Sequence, residues 1–367
     1  MSFYDVITLY KNFDFKNFLS TVNDEYILAI LEKDQVDELD FLALLSPAAT
    51  KHLEKIAIKA REIHLKRHGK SIVLFTPMYI SNFCVNKCAY CSYNMTNKIK
   101  RKKMSYEQIE IEAQKIAETN LKNILVLTGE DKKRSPVEYI LKSIDILKKY
   151  FESISIEIYP LSTADYEKMV LAGVDGLSIY QETYDEEIYD KVHISGPKKN
   201  YKFRLDAPER ALKANMRSVT IGPLIGLADW RIDSFFGGLH GKYLQKKYPA
   251  AEIGISVPRI RPCTKEFNDI KTINATELVQ IILAYRLFLP YASITITTRE
   301  SAFMRDNLIP LCINKISAGV STEVGGHSLE DSGDEQFEIS DGRSVDEIKK
   351  VILEKGYQPI VKNWINM

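Results

Sequence analysis

From Ser71 onward, eight short runs of β-branched or apolar residues alternate with segments of helical periodicity, and each run is too short to be a helix of its own. The runs fall at 72–75, 123–127, 154–158, 176–180, 218–221, 253–257, 293–297 and 315–318. Helical patterns lie between them at 106–118, 136–150, 164–171, 232–247 and 275–289, the first opened by Ser105 and Gln108 in capping-box spacing. Parallel strands need long crossovers, and the crossovers here are helical. The alternation therefore predicts an α/β chain built as a closed (β/α)8 barrel of the TIM type.

The flanks read differently. Residues 1–70 carry helical patterning, with Ser46 and Pro47 as an N-cap and first-turn proline and a stop at Gly69, and are expected to form an N-terminal helical extension. Residues 321–367 hold a polar loop, a helix after Ser344 and a short strand at 359–361, expected as a C-terminal appendage packed on the outside of the barrel. The barrel proper is bounded at 71–320, and no repeat or low-complexity linker divides the chain.

Fifty Lys and Arg against 49 Asp and Glu give a formal charge of +1, which excludes the basic excess of a dedicated nucleic-acid binder. No run reaches the roughly 20 apolar residues of a membrane span. The best, 281–296, is interrupted by Arg286. The N-terminus, MSFYDVITLYKNFDF, lacks the basic and apolar regions of a secretory signal, so the expected compartment is the cytoplasm. Of five cysteines, three crowd together as Cys84, Cys88 and Cys91. That distribution argues against a disulfide framework and for a metal site in a reducing compartment.

Barrel enzymes build their sites on loops at the C-terminal ends of the strands. CVNKCAYC follows the first run, Thr128-Gly129-Glu130 ends the second, Glu157 the third, residues 181–184 the fourth, residues 259–262 the sixth and Thr298-Arg299-Glu300 the seventh. Three thiolates on a short loop can each hold one iron of a cubane cluster, whereas a structural zinc site wants four closed ligands. Cys263 and Cys312 are single and distant and read as small buried hydrophobes; His193 and His240 show no partner spacing. An iron without a protein ligand is an open position where a substrate or cofactor can bind and receive an electron. A zinc-binding scaffold without enzymatic activity is the alternative from a different class.

CVNKCAYC resembles the CxxxCxΦC signature of the radical S-adenosylmethionine (SAM) superfamily. The resemblance implies a [4Fe-4S] cluster on Cys84, Cys88 and Cys91 with SAM at the unligated iron. It also implies Tyr90 beside the adenine, Thr128-Gly129-Glu130 as the strand end near the SAM amino group, and Glu157 and Arg204 as further SAM neighbours. The segments CSYNMTNKIKRKKMS, SIYQETYDEEIYDKVH, YKFRLDAPERALKA, IGPLIGLADWRIDSF, SVPRIRPCT, TTRESAFMRDNLIP and YQPIVKNW resemble the 2-iminoacetate synthase family, the tyrosine lyases of thiamine thiazole synthesis. This closer resemblance implies cleavage of the Cα–Cβ bond of L-tyrosine to 2-iminoacetate and p-cresol, with 5'-deoxyadenosine and methionine. It also implies a thiazole synthase as the protein that receives the product.

Arg299 is the expected clamp for the amino-acid carboxylate, the competing role being an ion pair with Glu300. Tyr180 and Gln181 are expected in the same mouth, and Ser317 at the ring end of the substrate or in the core. The basic run 98–103 reads first as solvated surface and otherwise as an attraction for an acidic flavodoxin or ferredoxin. Three neighbouring families compete. The tyrosine lyases of hydrogenase maturation carry a second cluster on a cysteine-bearing extension, where this sequence has no cysteine after Cys312. Tryptophan lyases would use the same Arg clamp, and biotin synthase needs a second ligand set that is not found.

Overall fold

The computed structural model describes residues 2–262, 267 and 269–362. Strands β1 (Ser71–Ser81), β2 (Asn123–Thr128), β3 (Ser153–Glu157), β4 (Gly176–Ser178), β5 (Ser218–Ile221), β6 (Glu252–Ser256), β7 (Ser293–Ile296) and β8 (Lys315–Ser317) pair in parallel in chain order. β1 pairs with both β2 and β8, so the sheet closes on itself as the expected barrel. The eight runs are the eight staves. β1 extends well past the expected 72–75, and Pro77 hides this because proline is ordinarily kept out of central strands; here Pro77 stands in register with Leu125.

The five anticipated crossover helices are present as Tyr106–Ala117, Val137–Leu147, Thr163–Leu171, Trp230–Lys247 and Ala275–Phe288. The Ser105–Gln108 capping box closes as expected, and Asn274 with Glu277 forms another. Helices Glu186–Val192, Tyr201–Leu205, Ala207–Lys213 and Ala302–Leu308 were not legible, since five to seven residues are too few to establish a helical period.

In the N-terminal extension, Ser46 and Pro47 open only the single turn Pro47–Thr50; the long helix Leu53–His68 starts after it and stops at Gly69, whose φ is 64°. The extension docks on the barrel through Phe41, stacked on Phe288 at 4.4 Å, and through Gln280, whose Nε2 donates to the carbonyls of Leu44 and Ser46 at 2.9 and 2.8 Å. Gly238 makes room for that docking, because a Cβ there would lie 2.2 Å from the Phe41 ring.

The C-terminal segment reaches both ends of the barrel, where the sequence suggested only its outside. β9 (Gln358–Ile360) pairs in parallel with the start of β1, and Val361 O accepts from Lys122 N at 3.0 Å. At the opposite end Thr322, Gln336 and Phe337 line the mouth. The lumen between is faced by hydroxyls of Ser153, Ser155, Thr220, Thr295 and Ser317 as well as by apolar side chains such as Val73, Leu125 and Leu127. Among the described residues no helix is long and apolar enough to cross a membrane.

Gly238→Ala should cost about 1–3 kcal/mol through overpacking against Phe41. The check is urea denaturation, where the midpoint should fall with little change in slope.

Candidate active site

β1 delivers the cysteine loop, which has no regular secondary structure and so depends on its neighbours to satisfy its backbone. The Arg101 guanidinium donates to the carbonyls of Asn82, Tyr93 and Asn94 at 2.7, 2.9 and 2.6 Å. Asn94 Nδ2 donates to Cys88 O at 2.9 Å, and the amides of Lys87 and Ala89 donate to Ser195 and Val192 carbonyls, each at 2.9 Å. The basic run is therefore only partly solvated: Arg101 clamps the loop, and Lys100 and Lys102 pair with Asp331.

Thr128-Gly129-Glu130 backs this loop and is absent from the cavity wall. Glu130 O accepts from Val85 N at 2.9 Å, and the Glu130 carboxylate accepts from Asn86 Nδ2 at 2.7 Å. Gly129 is required by the approach, since a Cβ there would lie 2.4 Å from Phe83 O.

Cys88 is buried and Cys84 and Cys91 are half-buried, all as free thiols. Burial pushes the Cys88 thiol well up and that of Cys91 to about 11. A bare thiolate would be costly there, and a metal is the partner that makes it stable. With Cys84 they supply, on one loop, the three thiolate donors that three irons of a [4Fe-4S] cluster take. Cys312 is buried in the core as expected; Cys263 lies outside the described residues.

Tyr90 is buried, and its hydroxyl donates to His193 Nε2 at 2.8 Å while His193 Nδ1 donates to Tyr189 O at 2.8 Å. That second bond assigns the tautomer. Burial, then the Lys198 charge, pushes the His193 pKa down to about 3, so the ring is neutral. His193, which showed no partner in the sequence, thus anchors the aromatic residue of the cysteine motif.

Tyr90 and Cys91 open onto a cavity of about 1430 Å³ counting its open end, whose wall also carries Glu157, Tyr180, Glu182, Lys198, Arg299 and Ser317. Glu182 was not assigned a role by sequence reasoning, yet it organises the wall. Its backbone is left-handed with φ of 74°, which is uncommon outside glycine, and it accepts from Lys198 Nζ at 2.6 Å and Arg204 Nη2 at 3.3 Å. Burial opposes its charge, but Lys198 and Arg204 outweigh that and hold its pKa below the usual carboxylate value.

Two of the expected site residues lie off the cavity wall. Arg204 stands behind Glu182 and donates through Nε to Tyr180 O at 2.7 Å; it is not on the cavity wall. Gln181 is also off the wall, because neighbouring residues leaving a strand face opposite ways and Tyr180 and Glu182 take the inward side.

The Arg299–Glu300 ion pair is not what the chain adopts. Arg259 takes Glu300 with two nitrogens, Nε donating at 2.8 Å. Arg299 instead lies 3.5 Å above the Phe337 ring, with Nη1 donating to Arg259 O at 3.4 Å, and faces the cavity. Gln336 and Phe337 of the C-terminal loop carried no recognisable motif; Gln336 Oε1 accepts from the Tyr79 hydroxyl at 2.9 Å. The Ser317 hydroxyl has no partner among the described residues.

A closed barrel with a three-thiol loop after its first strand defines a radical SAM enzyme, and the Radical SAM superfamily model matches residues 78–235. The Biotin and Thiamin Synthesis associated domain matches residues 256–358. The 2-iminoacetate synthase of Salmonella typhimurium is 36% identical over 89% of this chain and 86% of its own length; that of Escherichia coli is 36% identical over 91% and 89%. The FeFe-hydrogenase maturase HydG from Carboxydothermus hydrogenoformans superposes with a TM-score of 0.91 at 30% identity, over 99% of this chain and 86% of that one. The chain belongs to the 2-iminoacetate synthase family. Its cofactors are a [4Fe-4S] cluster and SAM.

Replacing Cys84, Cys88 or Cys91 by Ala should abolish iron loading, whereas Cys312→Ala should leave about four irons per chain by colorimetric assay. Burial and the Glu182 charge raise the Glu157 pKa from 4.5 to about 7. The folded chain thus holds that proton more tightly than the unfolded one, a stabilisation complete below about pH 4.5 and lost as pH rises through about 7. In the cofactor-free protein, Glu157→Gln should flatten the fall in melting temperature between pH 5 and 8.

Proposed function

We propose that this chain is the lyase that cleaves the Cα–Cβ bond of L-tyrosine, giving 2-iminoacetate and p-cresol with 5'-deoxyadenosine and methionine, for thiamine thiazole synthesis. The observation that carries the reading is a guanidinium released from its neighbouring carboxylate and facing the same cavity as Cys91 and Tyr90. Bound together, the cluster and SAM supply a 5'-deoxyadenosyl radical by one-electron reduction.

The residues of the chain do the rest. Cys84, Cys88 and Cys91 hold the irons. Glu182 and Lys198 face the polar groups of SAM, with Arg204 fixing Glu182 from behind, and Glu157 completes that wall. Arg299 receives the substrate carboxylate, its plane fixed by the Phe337 ring. Tyr180 and Ser317 bound the part of the cavity left for the side chain of the substrate. The loop carrying Thr322, Gln336 and Phe337 covers the mouth and restricts water, which an imine product requires because water hydrolyses it. That lability is the chemical reason for direct transfer to a thiazole synthase. The electron comes from a small acidic protein, a flavodoxin or ferredoxin.

With SAM and dithionite under anaerobic conditions, the reconstituted protein should convert tyrosine to p-cresol and glyoxylate, the hydrolysis product of 2-iminoacetate. Release of the indole counterpart from tryptophan with no p-cresol from tyrosine would contradict the assignment. Arg299→Ala should lower kcat/KM for tyrosine roughly ten- to a hundred-fold, while SAM cleavage without tyrosine persists. Equal loss of both would exclude the clamp.

A further inference from the structure

The basic run 98–103 braces the cysteine loop through Arg101, and an acidic run lies against its lysines. Residues 98–103 carry five cations and no carboxylate; residues 321–340 carry six carboxylates and no lysine or arginine. The fold brings the two together. Arg101 is taken by loop carbonyls and Lys103 stands 4.1 Å over the Tyr139 ring, which leaves Lys100 and Lys102 to face the acidic run. Both pair with the Asp331 carboxylate, and Lys102 Nζ also donates to the Asp331 carbonyl. Backbone contacts fix the register: Lys100 N donates to the Asp334 carboxylate at 3.0 Å, and Asp334 N donates to Lys100 O at 3.2 Å. Gly333 lies so close to Lys102 that a Cβ there would come 2.9 Å from the Lys102 Cβ.

The two ends of this acidic segment are held differently from its middle. Upstream, the buried Glu112 carboxylate of helix Tyr106–Ala117 accepts from the His327 amide at 2.9 Å and from the Ser328 hydroxyl. Downstream, the segment ends on Gln336 and Phe337 at the mouth of the cavity, with the Phe337 ring beneath Arg299. In between, the Lys100 side chain is 50% exposed and that of Asp331 81%. Exposed ion pairs are individually weak and are screened by salt. Away from the lysines the segment would meet mainly its own charge: partial burial, then Glu323, Glu338 and Asp334, push the Glu335 pKa up. SAM and the substrate must pass a mouth that Thr322, Gln336 and Phe337 cover, so the weakly held middle is where this cover can yield.

We propose that residues 329–338 form a strap that closes the cavity, held shut by Asp331 and Asp334 against Lys100 and Lys102, and that its closure positions Phe337 and, through it, the Arg299 guanidinium. The proposal rests on the lyase reading given above. Asp331, Asp334, Lys100 and Lys102 are positioning residues: they touch neither substrate nor cluster and act through the ring that orients the clamp. The strap also gives the basic run a role inside the chain, since its lysines attract the acidic segment of the same molecule.

The test uses the reconstituted holoenzyme with SAM bound. Hydrogen exchange read by mass spectrometry follows the strap itself: amides of 331–335 should exchange faster as salt rises from about 0.05 to about 0.5 M, while those of helix Tyr106–Ala117 stay protected. Asp331→Lys sets a cation against Lys100 and Lys102. It should free the same amides at low salt and raise KM for tyrosine about ten-fold, with little change in kcat or in SAM cleavage without tyrosine. The triple variant Asp331→Lys, Lys100→Glu, Lys102→Glu recreates opposite charges and should restore both KM and protection. The Asp331 side chain is 81% exposed, so its replacement spares the core, and about four irons per chain shows that the cysteine loop is loaded. Exchange in 331–335 that neither salt nor Asp331→Lys alters would overturn the proposal. So would a triple variant no better than the single one, or a loss of SAM cleavage as large as the rise in KM. A wild-type protein with the expected exchange that releases no p-cresol from tyrosine would refute the lyase reading and leave the strap standing, so the two failures are distinguishable.

Discussion

A loop that offers three sulfurs to one metal cluster satisfies only part of its own backbone, and the rest of the site follows from how the chain meets that demand. Arg101 takes three carbonyls, Glu130 takes an amide through its carbonyl and Asn86 through its carboxylate, and residues 192–195 pair with the far edge of the loop. Each support comes from a different strand-end segment or from the chain just downstream. Closing the barrel is therefore what assembles them, and the loop is held in place by the protein before any iron is considered.

The cavity beside it carries both signs of charge, with Glu157, Glu182 and Glu252 on its wall together with Lys198, Arg217, Arg261, Arg299 and Lys315. A wall of both signs suits ligands that carry both an ammonium and a carboxylate, as SAM and an amino acid do. Which of these charges is available depends on pairings behind the wall. Arg204 from behind it joins Lys198 in keeping Glu182 ionised despite burial, and Arg259 removes Glu300 from competition for Arg299. Loss of either pairing would change what the cavity can hold without touching a wall residue.

The barrel was legible because its signal is repeated eight times and each crossover helix with a clear period reinforces it. The cysteine motif was legible because spacing alone carries it. Pro77 concealed the length of β1, and the helices between β4 and β5 were too short to announce themselves. The site was readable where a residue type implies its chemistry, as with Cys91 or Arg299. It was unreadable where direction decides: Tyr180 and Gln181 are adjacent and both carry hydrogen-bonding groups, and only the strand end determines that one faces the cavity. Glu182, Lys198 and His193 owe their roles to contacts across 16 to 103 residues of chain, which no local pattern encodes. Phe337 comes from a loop with no motif at all.

The central claim is that three cysteines leave one position of the cluster open to SAM. Electron paramagnetic resonance of the reduced holoenzyme, recorded with and without saturating SAM, tests it most directly. The account predicts that SAM shifts the signal of the cluster because it binds at the iron that has no cysteine. Superimposable spectra with and without SAM, in protein shown to contain four irons, would contradict it.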